Sequence, residues 1–284
     1  MKLIRFGEPG REKPGVQLDD GTRIDVSRHI PDFNPDFFAA GGIARLREIV
    51  EARANCPTVP DGMRLGAPVG RPGKLVAIGL NYRNHAREVG AEIPKEPEVF
   101  TKHTTCICGP DDNILVPKTS TKLDYEIELA FVMSRTVADL PSEETALDHV
   151  AGYLICNDVS ERDFHSRGRQ LVKGKSHDHF GPLGPWLVTP DEAGDPHKLD
   201  LELKVNGETR QKSTTADFIF NIPHIVWYCS QFFTLEAGDV VTTGTPEGVA
   251  LGMKDRDGYL KPGDTVELTI AKLGRQTQVV TPRV

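Results

Sequence analysis

The chain has 284 residues, enough for one large domain or a small domain beside a larger one. A formal net charge of −7, with no basic stripe, argues against a nucleic-acid partner. No run approaches the roughly 18 apolar residues of a membrane span, residues 1–7 lack the apolar core of a secretory signal, and five cysteines are odd in number. A cytoplasmic protein with no disulfide framework and no membrane partner is expected.

In chain order, Met1–Phe6 reads as a strand, and Asp19-Asp20-Gly21 separates Gly15–Leu18 from Thr22–Val26 as a hairpin. A helical pattern follows around Ile43–Ala54, so residues 1–65 read as a small N-terminal α/β domain. The Pro/Gly-rich stretch 66–73 reads as a linker, and 74–284 as the main domain. The strand Lys74–Leu80 leads into Asn81–Gly90, a short helix with Asn81 as its expected cap. Strands are expected at Val99–Thr101, Thr105–Cys108, Asn113–Val116 and Tyr125–Met133, then a helix near Glu143–His149. Leu199–Val205 turns at Asn206-Gly207. Asn221 begins an apolar helix running through Phe232-Phe233, and Asp239–Thr243 and Thr265–Ile270 are further strands. The whole is α+β and mostly β.

The chemistry gathers on Asp124-Tyr125-Glu126-Ile127-Glu128-Leu129, where apolar and acidic residues alternate with period two. On a strand, Glu126 and Glu128 point to one face, roughly 6.5–7 Å apart. A second run, Gly152–Cys156, ends in Asn157-Asp158. Three carboxylates near strand ends suit a hard cation such as Mg²⁺, Mn²⁺ or Ca²⁺; the alternative is the solvated face of an edge strand. His85 and Glu88, three apart, share a helix face. A carboxylate beside an imidazole orients the ring for general-base work, although an exposed surface pair has the same spacing. The loop Gly244-Thr245-Pro246-Glu247-Gly248 offers a hydroxyl and backbone N–H groups that can hold a carboxylate, or is an ordinary turn. Cys106 and Cys108 have no second pair for zinc and read as buried strand residues. His177-Asp178-His179 is too common a run to assign to metal. Gly174-Lys175-Ser176 lacks the upstream glycine and strand of a phosphate-binding loop.

Taken in order, Gly79-Leu80-Asn81-Tyr82-Arg83-Asn84-His85, Phe100-Thr101-Lys102, Asp124–Leu129, Asn157-Asp158-Val159-Ser160-Glu161-Arg162-Asp163, Lys173-Gly174-Lys175-Ser176, Gly181–Trp186 and Thr243-Gly244-Thr245-Pro246 resemble the fumarylacetoacetate hydrolase family. The N-terminal Arg5-Phe6-Gly7 with Asp20-Gly21 resembles its bacterial long form, the branch of 2,4-diketo-3-deoxy-sugar-acid (rhamnonate or fuconate) hydrolases and proteins labelled ureidoglycolate lyase. The resemblance implies a mixed β-sandwich roll, a homodimer, and metal ligation by Glu126, Glu128 and Asp158. It implies His85 and Glu88 as a water-activating dyad, Lys175 facing the reacting oxygens, and Tyr82, Arg162, His165 and Thr245 as substrate contacts. Two positions depart from the family pattern: His165 replaces a usual glutamine, and Gln170-Leu171-Val172 replaces an aromatic residue before the lysine string.

The expected reaction is metal-dependent hydrolysis of the C3–C4 bond of a 2,4-dioxo acid, releasing pyruvate and a second acid such as lactate. Oxaloacetate decarboxylation, ureidoglycolate cleavage and 2-hydroxymuconate-type isomerisation are rivals on the same site. A non-catalytic β-protein holding structural Ca²⁺ is a different class, and it has no need of a dyad.

Overall fold

A computed structural model describes residues 1–53, 55–165, 167, 170–253 and 258–283. Its centre is the strand Ile127–Met133, all seven residues buried, flanked by Val150–Asn157 and Val240–Thr242. Continuous burial is what a strand covered on both faces requires, and the apolar run from Leu129 to Met133 supplies it. From this strand an eleven-stranded mixed sheet extends both ways. One side runs through Val150–Asn157, Gly181–Val188, Lys2–Phe6, Lys13–Gln17 and Arg23–Asp25. The other runs through Val240–Thr242, Leu75–Gly79 and Glu98–Lys102, and two short strands pair off this path, Leu65–Gly66 with Lys2–Phe6 and Ile107–Cys108 with Gly181–Val188.

A second sheet of five strands is ordered Glu208–Thr214, Asp200–Val205, Thr265–Ile270, Gly274–Pro282, Ile114–Val116. Its Leu201, Leu203, Val266 and Leu268 share one apolar core with Ile127, Leu129 and Ile155 of the larger sheet. Buried amides also join the sheets. Gln276 Nε2 donates to Ile155 O and Gly184 O at 2.9 Å each, and Asn157 Nδ2 donates to Gln278 Oε1 at 3.0 Å. Buried polar groups survive in such a core only when bonded in this way.

The architecture is mostly β, as expected. Lys2–Phe6 pairs antiparallel with Gly181–Val188, so the N-terminal segment is built into the main sheet and its core. The stretch from Gly66 to Gly70 is buried, with Gly70 N donating to Phe33 O at 2.8 Å. Asn81 is not the helix cap; it bridges loops instead, accepting from Phe220 N at 2.7 Å and donating to Thr243 O at 2.8 Å. Tyr82 precedes the helix Arg83–Glu88. The expected helix near Glu143–His149 is a single 3₁₀ turn, Ala146–His149. Asn221 does cap Ile222–Ser230, accepting from His224 N at 2.9 Å, but that helix ends before Phe232. Asn206 and Gly207, both at positive φ, make the expected hairpin turn.

Candidate active site

Register assembles the carboxylates. Ile127 pairs with Asn157 and Glu128 with Cys156, so the next step places Glu126 opposite Asp158, and Asp158 N donates to Glu126 O at 2.9 Å. Glu126 falls in a break between Leu123–Asp124 and Ile127–Met133, where the ladder is replaced by side chains. Asn157 Oδ1 accepts from Glu126 N at 3.2 Å, and Gln211 Oε1 from Ile127 N at 3.0 Å. Glu126, Glu128 and Asp158 each present an oxygen within 4.8 Å of the others, and all three are buried. The strand is central and covered, so the edge-strand alternative does not hold.

Three cations face this cage. Lys175 Nζ lies 2.6 Å from both Glu126 Oε2 and Asp158 Oδ2. Arg162 spans Asp124 Oδ2 at 2.8 Å and Glu126 Oε1 at 2.5 Å. Lys102, fully buried, is bonded to Asp158 Oδ1 and donates to Phe180 O at 2.7 Å. With Asp124, four acids meet three cations, which leaves one negative charge uncompensated inside the protein. Burial works to raise the Glu126 carboxyl, but Arg162 and Lys175 more than offset it and hold it below the usual carboxylate range. Glu128 goes the other way. Burial, then the Asp158 and Glu126 charges, push it well up. Among the described residues it forms no ion pair, and its Oε2 accepts the Gly244 N–H at 2.9 Å. A crowded, all-oxygen, under-compensated donor set fits a hard divalent cation.

Across the cavity, His85 Nδ1 meets Glu88 Oε2 at 2.9 Å. Glu88 is itself fixed, its Oε1 accepting Gly248 N at 2.8 Å while the 3₁₀ turn Ala250–Gly252 packs against it. The six-residue helix is short for autonomous stability; its start is pinned by Asn84 N donating to Asp217 Oδ2 at 2.9 Å and Arg83 Nη1 to Asp217 O at 3.1 Å. His85 is buried, so this is no surface pair.

The cage and the His85 ring line one cavity of about 300 Å³, together with Arg162, His165, Lys175 and Thr245; Glu88, which holds the ring, is not part of the wall. Tyr82 does not join them. It is fully buried, edge-on to Phe218 with ring centroids 4.9 Å apart, and absent from the cavity wall. Thr245 lies on the wall, but its hydroxyl donates to Ile127 O at 3.0 Å and accepts from Gln211 Nε2 at 2.8 Å. Burial, then Lys175 and Arg162, lower the His165 imidazole to about 4, so the ring is neutral near pH 7.

Lys102, Asp124 and Gln211 carry roles that the sequence reading did not assign. Lys102 is the one buried residue of the strand Glu98–Lys102, and neither it nor Gln211, between Arg210 and Lys212 on a strand, is marked as inward by its neighbours in sequence. Cys106 and Cys108 are buried, and burial pushes the Cys106 thiol up to about 11. In the His177–His179 run, Asp178 pairs with Arg283 at 2.5 Å and His179 Nδ1 meets Asn113 O at 2.8 Å.

Residues 74–281 match the family model described as fumarylacetoacetate (FAA) hydrolase, C-terminal. The chain belongs to the fumarylacetoacetate hydrolase family. A Burkholderia multivorans protein provisionally named a hydrolase is 49% identical over 280 residues, 98% of each chain. Among solved structures of the family, the fumarylacetoacetate hydrolase of psychrophilic Exiguobacterium antarcticum is 36% identical, with TM-score 0.83 and complete coverage of both chains. Maleylpyruvate hydrolase from Sphingobium sp. SYK-6, in complex with manganese(II) and pyruvate, is 29% identical, again with TM-score 0.83 over the whole of both chains. Fold and family together make this chain an enzyme of the family's hydrolase and isomerase group.

Proposed function

We propose that the protein is a divalent-metal-dependent hydrolase that cleaves the C3–C4 bond of a 2,4-dioxo acid of the acylpyruvate type, releasing pyruvate and a second acid. The observation that carries this reading is the sharing of one cavity by a three-carboxylate cage and a buried imidazole whose Nδ1 is held by a carboxylate. A structural cation site needs only the first.

Glu126, Glu128 and Asp158 would hold Mg²⁺ or Mn²⁺, which when bound supplies Lewis-acid polarisation of the 2-oxo group and its carboxylate. The remaining steps belong to the chain's own side chains. With Nδ1–H directed to Glu88, His85 keeps the lone pair on Nε2 and takes a proton from water as the water oxygen adds to C4. Glu88 stabilises the imidazolium that forms. The C3–C4 bond then breaks with its electron pair on C3, charge spreads to the 2-oxo oxygen, and His85 returns its proton to C3. Lys175 stands beside the cage to meet that charge, and Arg162 holds Asp124 and Glu126 in place.

The test is pyruvate release from a panel of 2,4-dioxo acids with Mg²⁺ or Mn²⁺, alongside CO₂ release from oxaloacetate. Oxaloacetate decarboxylation needs an electron sink but no water at C4. His85→Ala is expected to cut hydrolysis by about 10²–10⁴-fold and decarboxylation far less. Equal loss of both activities makes His85 a structural residue and sinks the hydrolytic mechanism.

A further inference from the structure

The wall of the catalytic cavity away from the cage and dyad is mostly apolar, with Val89, Phe100, Leu171 and Leu251 beside one exposed carboxylate, Glu98. Phe100 and Leu171 do double duty, since they also line an adjoining groove of about 570 Å³ whose walls include Pro97, Val99, Phe232 and Phe233. Phe100 sits next to the chemistry, its ring centroid 5.5 Å from Lys175 Nζ. The groove's Tyr228 hydroxyl is already bonded to Glu96 Oε2 at 2.9 Å. Six large apolar side chains of the described residues are exposed, and three of them lie on these two neighbouring spaces: Val89 and Leu251 at the cavity, Phe232 (66% exposed) in the groove. Exposed apolar groups gathered at the mouth of a site mark what the site binds.

We propose that this groove receives the distal group of the substrate and that the group is apolar, so that the enzyme acts on alkyl or aryl acylpyruvates rather than on a polyhydroxylated, sugar-derived chain. The inference rests on the acylpyruvate reading above for the other end of the molecule. Among the described residues, the one polar side-chain atom of the cavity wall that is buried without a hydrogen-bond partner is His165 Nε2. That atom can serve one carbonyl, and outside the cage and its cations the exposed Glu98 is the further acid on the wall, too few partners for a chain of hydroxyls. Each buried hydroxyl left unpaired costs about fivefold or more in affinity, whereas each buried methylene gains about fourfold.

Two readouts on the Mg²⁺-loaded protein test this. The first is kcat/KM for 2,4-dioxo acids carrying methyl, pentyl, phenyl or trihydroxybutyl distal groups. The second is calorimetric affinity for straight-chain 2-oxo acids from pyruvate to 2-oxodecanoate. The expected result is a rise of at least about tenfold in each from the shortest to the longest apolar chain, with the hydroxylated chain below the pentyl one. Phe232→Asp, at an exposed position, is expected to cut the long-to-short ratio about tenfold in both readouts. If no dioxo acid is turned over while affinity still climbs with chain length, the hydrolase reading fails and the groove assignment stands. Affinity that is flat with chain length overturns the assignment whatever turnover shows, and so does a kcat/KM for the trihydroxybutyl substrate equal to or above that of the pentyl one. So does a Phe232→Asp protein that changes oligomeric state with its chain-length dependence intact, which would give the groove to a second copy of the chain.

Discussion

Glu126, Glu128 and Asp158 stand on or beside two central strands whose pairing runs from Ile127↔Asn157 to Met133↔Val150, and a one-residue slip would turn their side chains to the wrong face. His85 and Glu88 stand on a six-residue helix held by loop residues more than 100 positions away, chiefly Asp217 and Gly248. The cage is thus fixed by the same contacts that make the fold, while the dyad is fixed by a handful of hydrogen bonds that the fold does not otherwise need. One consequence is separability: the two halves of the site can be damaged independently.

The largest effect should come from the cage. Glu128→Gln keeps the shape but removes a charge from a carboxylate with no ion-pair partner among the described residues. Lewis-acid stabilisation is worth several kcal/mol, so activity should fall by at least about 10³-fold. Calorimetry should show Mg²⁺ or Mn²⁺ binding lost or greatly weakened, with circular dichroism unchanged. Full activity after exhaustive chelation would falsify the metal assignment.

Breaking the dyad should cost less and leave the cage intact. Glu88→Gln removes the charge opposite His85 Nδ1 while keeping a side chain that can accept from Gly248 N. Hydrolysis should drop by about 10–100-fold, milder than His85→Ala, because the imidazole remains but is poorly stabilised as a cation. Metal affinity should stay as in the wild type. A parallel loss of metal binding would show that the two halves are not separable.

Lys102 tests the claim that the cage belongs to the fold. Removing one partner of a buried ion pair typically costs about 3–5 kcal/mol; Lys102→Met strips the cation from Asp158 Oδ1 and leaves Phe180 O without its donor. Urea unfolding should show a loss of that order without metal and a smaller one at saturating Mg²⁺, since a dication near Asp158 replaces the missing charge. A loss that Mg²⁺ does not reduce would separate Lys102 from the cage.

The two halves also differed in how far they could be read from the chain. The period-two pattern of Asp124–Leu129 with Asn157-Asp158 already implied carboxylates on one face, because side-chain direction on a strand follows from position alone. Pattern could not tell an edge strand from a central one, nor show that Glu126 lies at a break whose backbone is satisfied by Asn157 and Gln211, because those partners are 31 and 84 residues distant. His85 and Glu88 were legible as an i, i+3 pair. What buries them was not, since the loop of Gly248 and the turn at Ala250–Gly252 carry no periodicity. The Pro/Gly stretch after Leu65 read as a linker for a similar reason: composition marks irregular backbone but does not say whether it is covered.

The smallest effect is expected at Thr245, where cage and loop meet. Its hydroxyl hydrogen is engaged by Ile127 O and its oxygen accepts from Gln211, so it closes a joint between the central strand and the loop after Val240–Thr242. Thr245→Val removes both bonds, but Gln211 Nε2 keeps Pro246 O at 2.9 Å and Gln211 Oε1 keeps Ile127 N at 3.0 Å. A stability loss of about 1 kcal/mol follows. Oxalate, which presents two oxygens as a 2-oxo acid does, distinguishes the joint from a substrate contact. If the hydroxyl only closes the joint, oxalate inhibition should change by less than about threefold, because no bond to the ligand is lost. A hydrogen bond to a charged ligand is worth about 1.5–3 kcal/mol, so inhibition weakened tenfold or more would instead place the Thr245 hydroxyl on the substrate's carboxylate, with the Ile127 bond exchanged for it on binding.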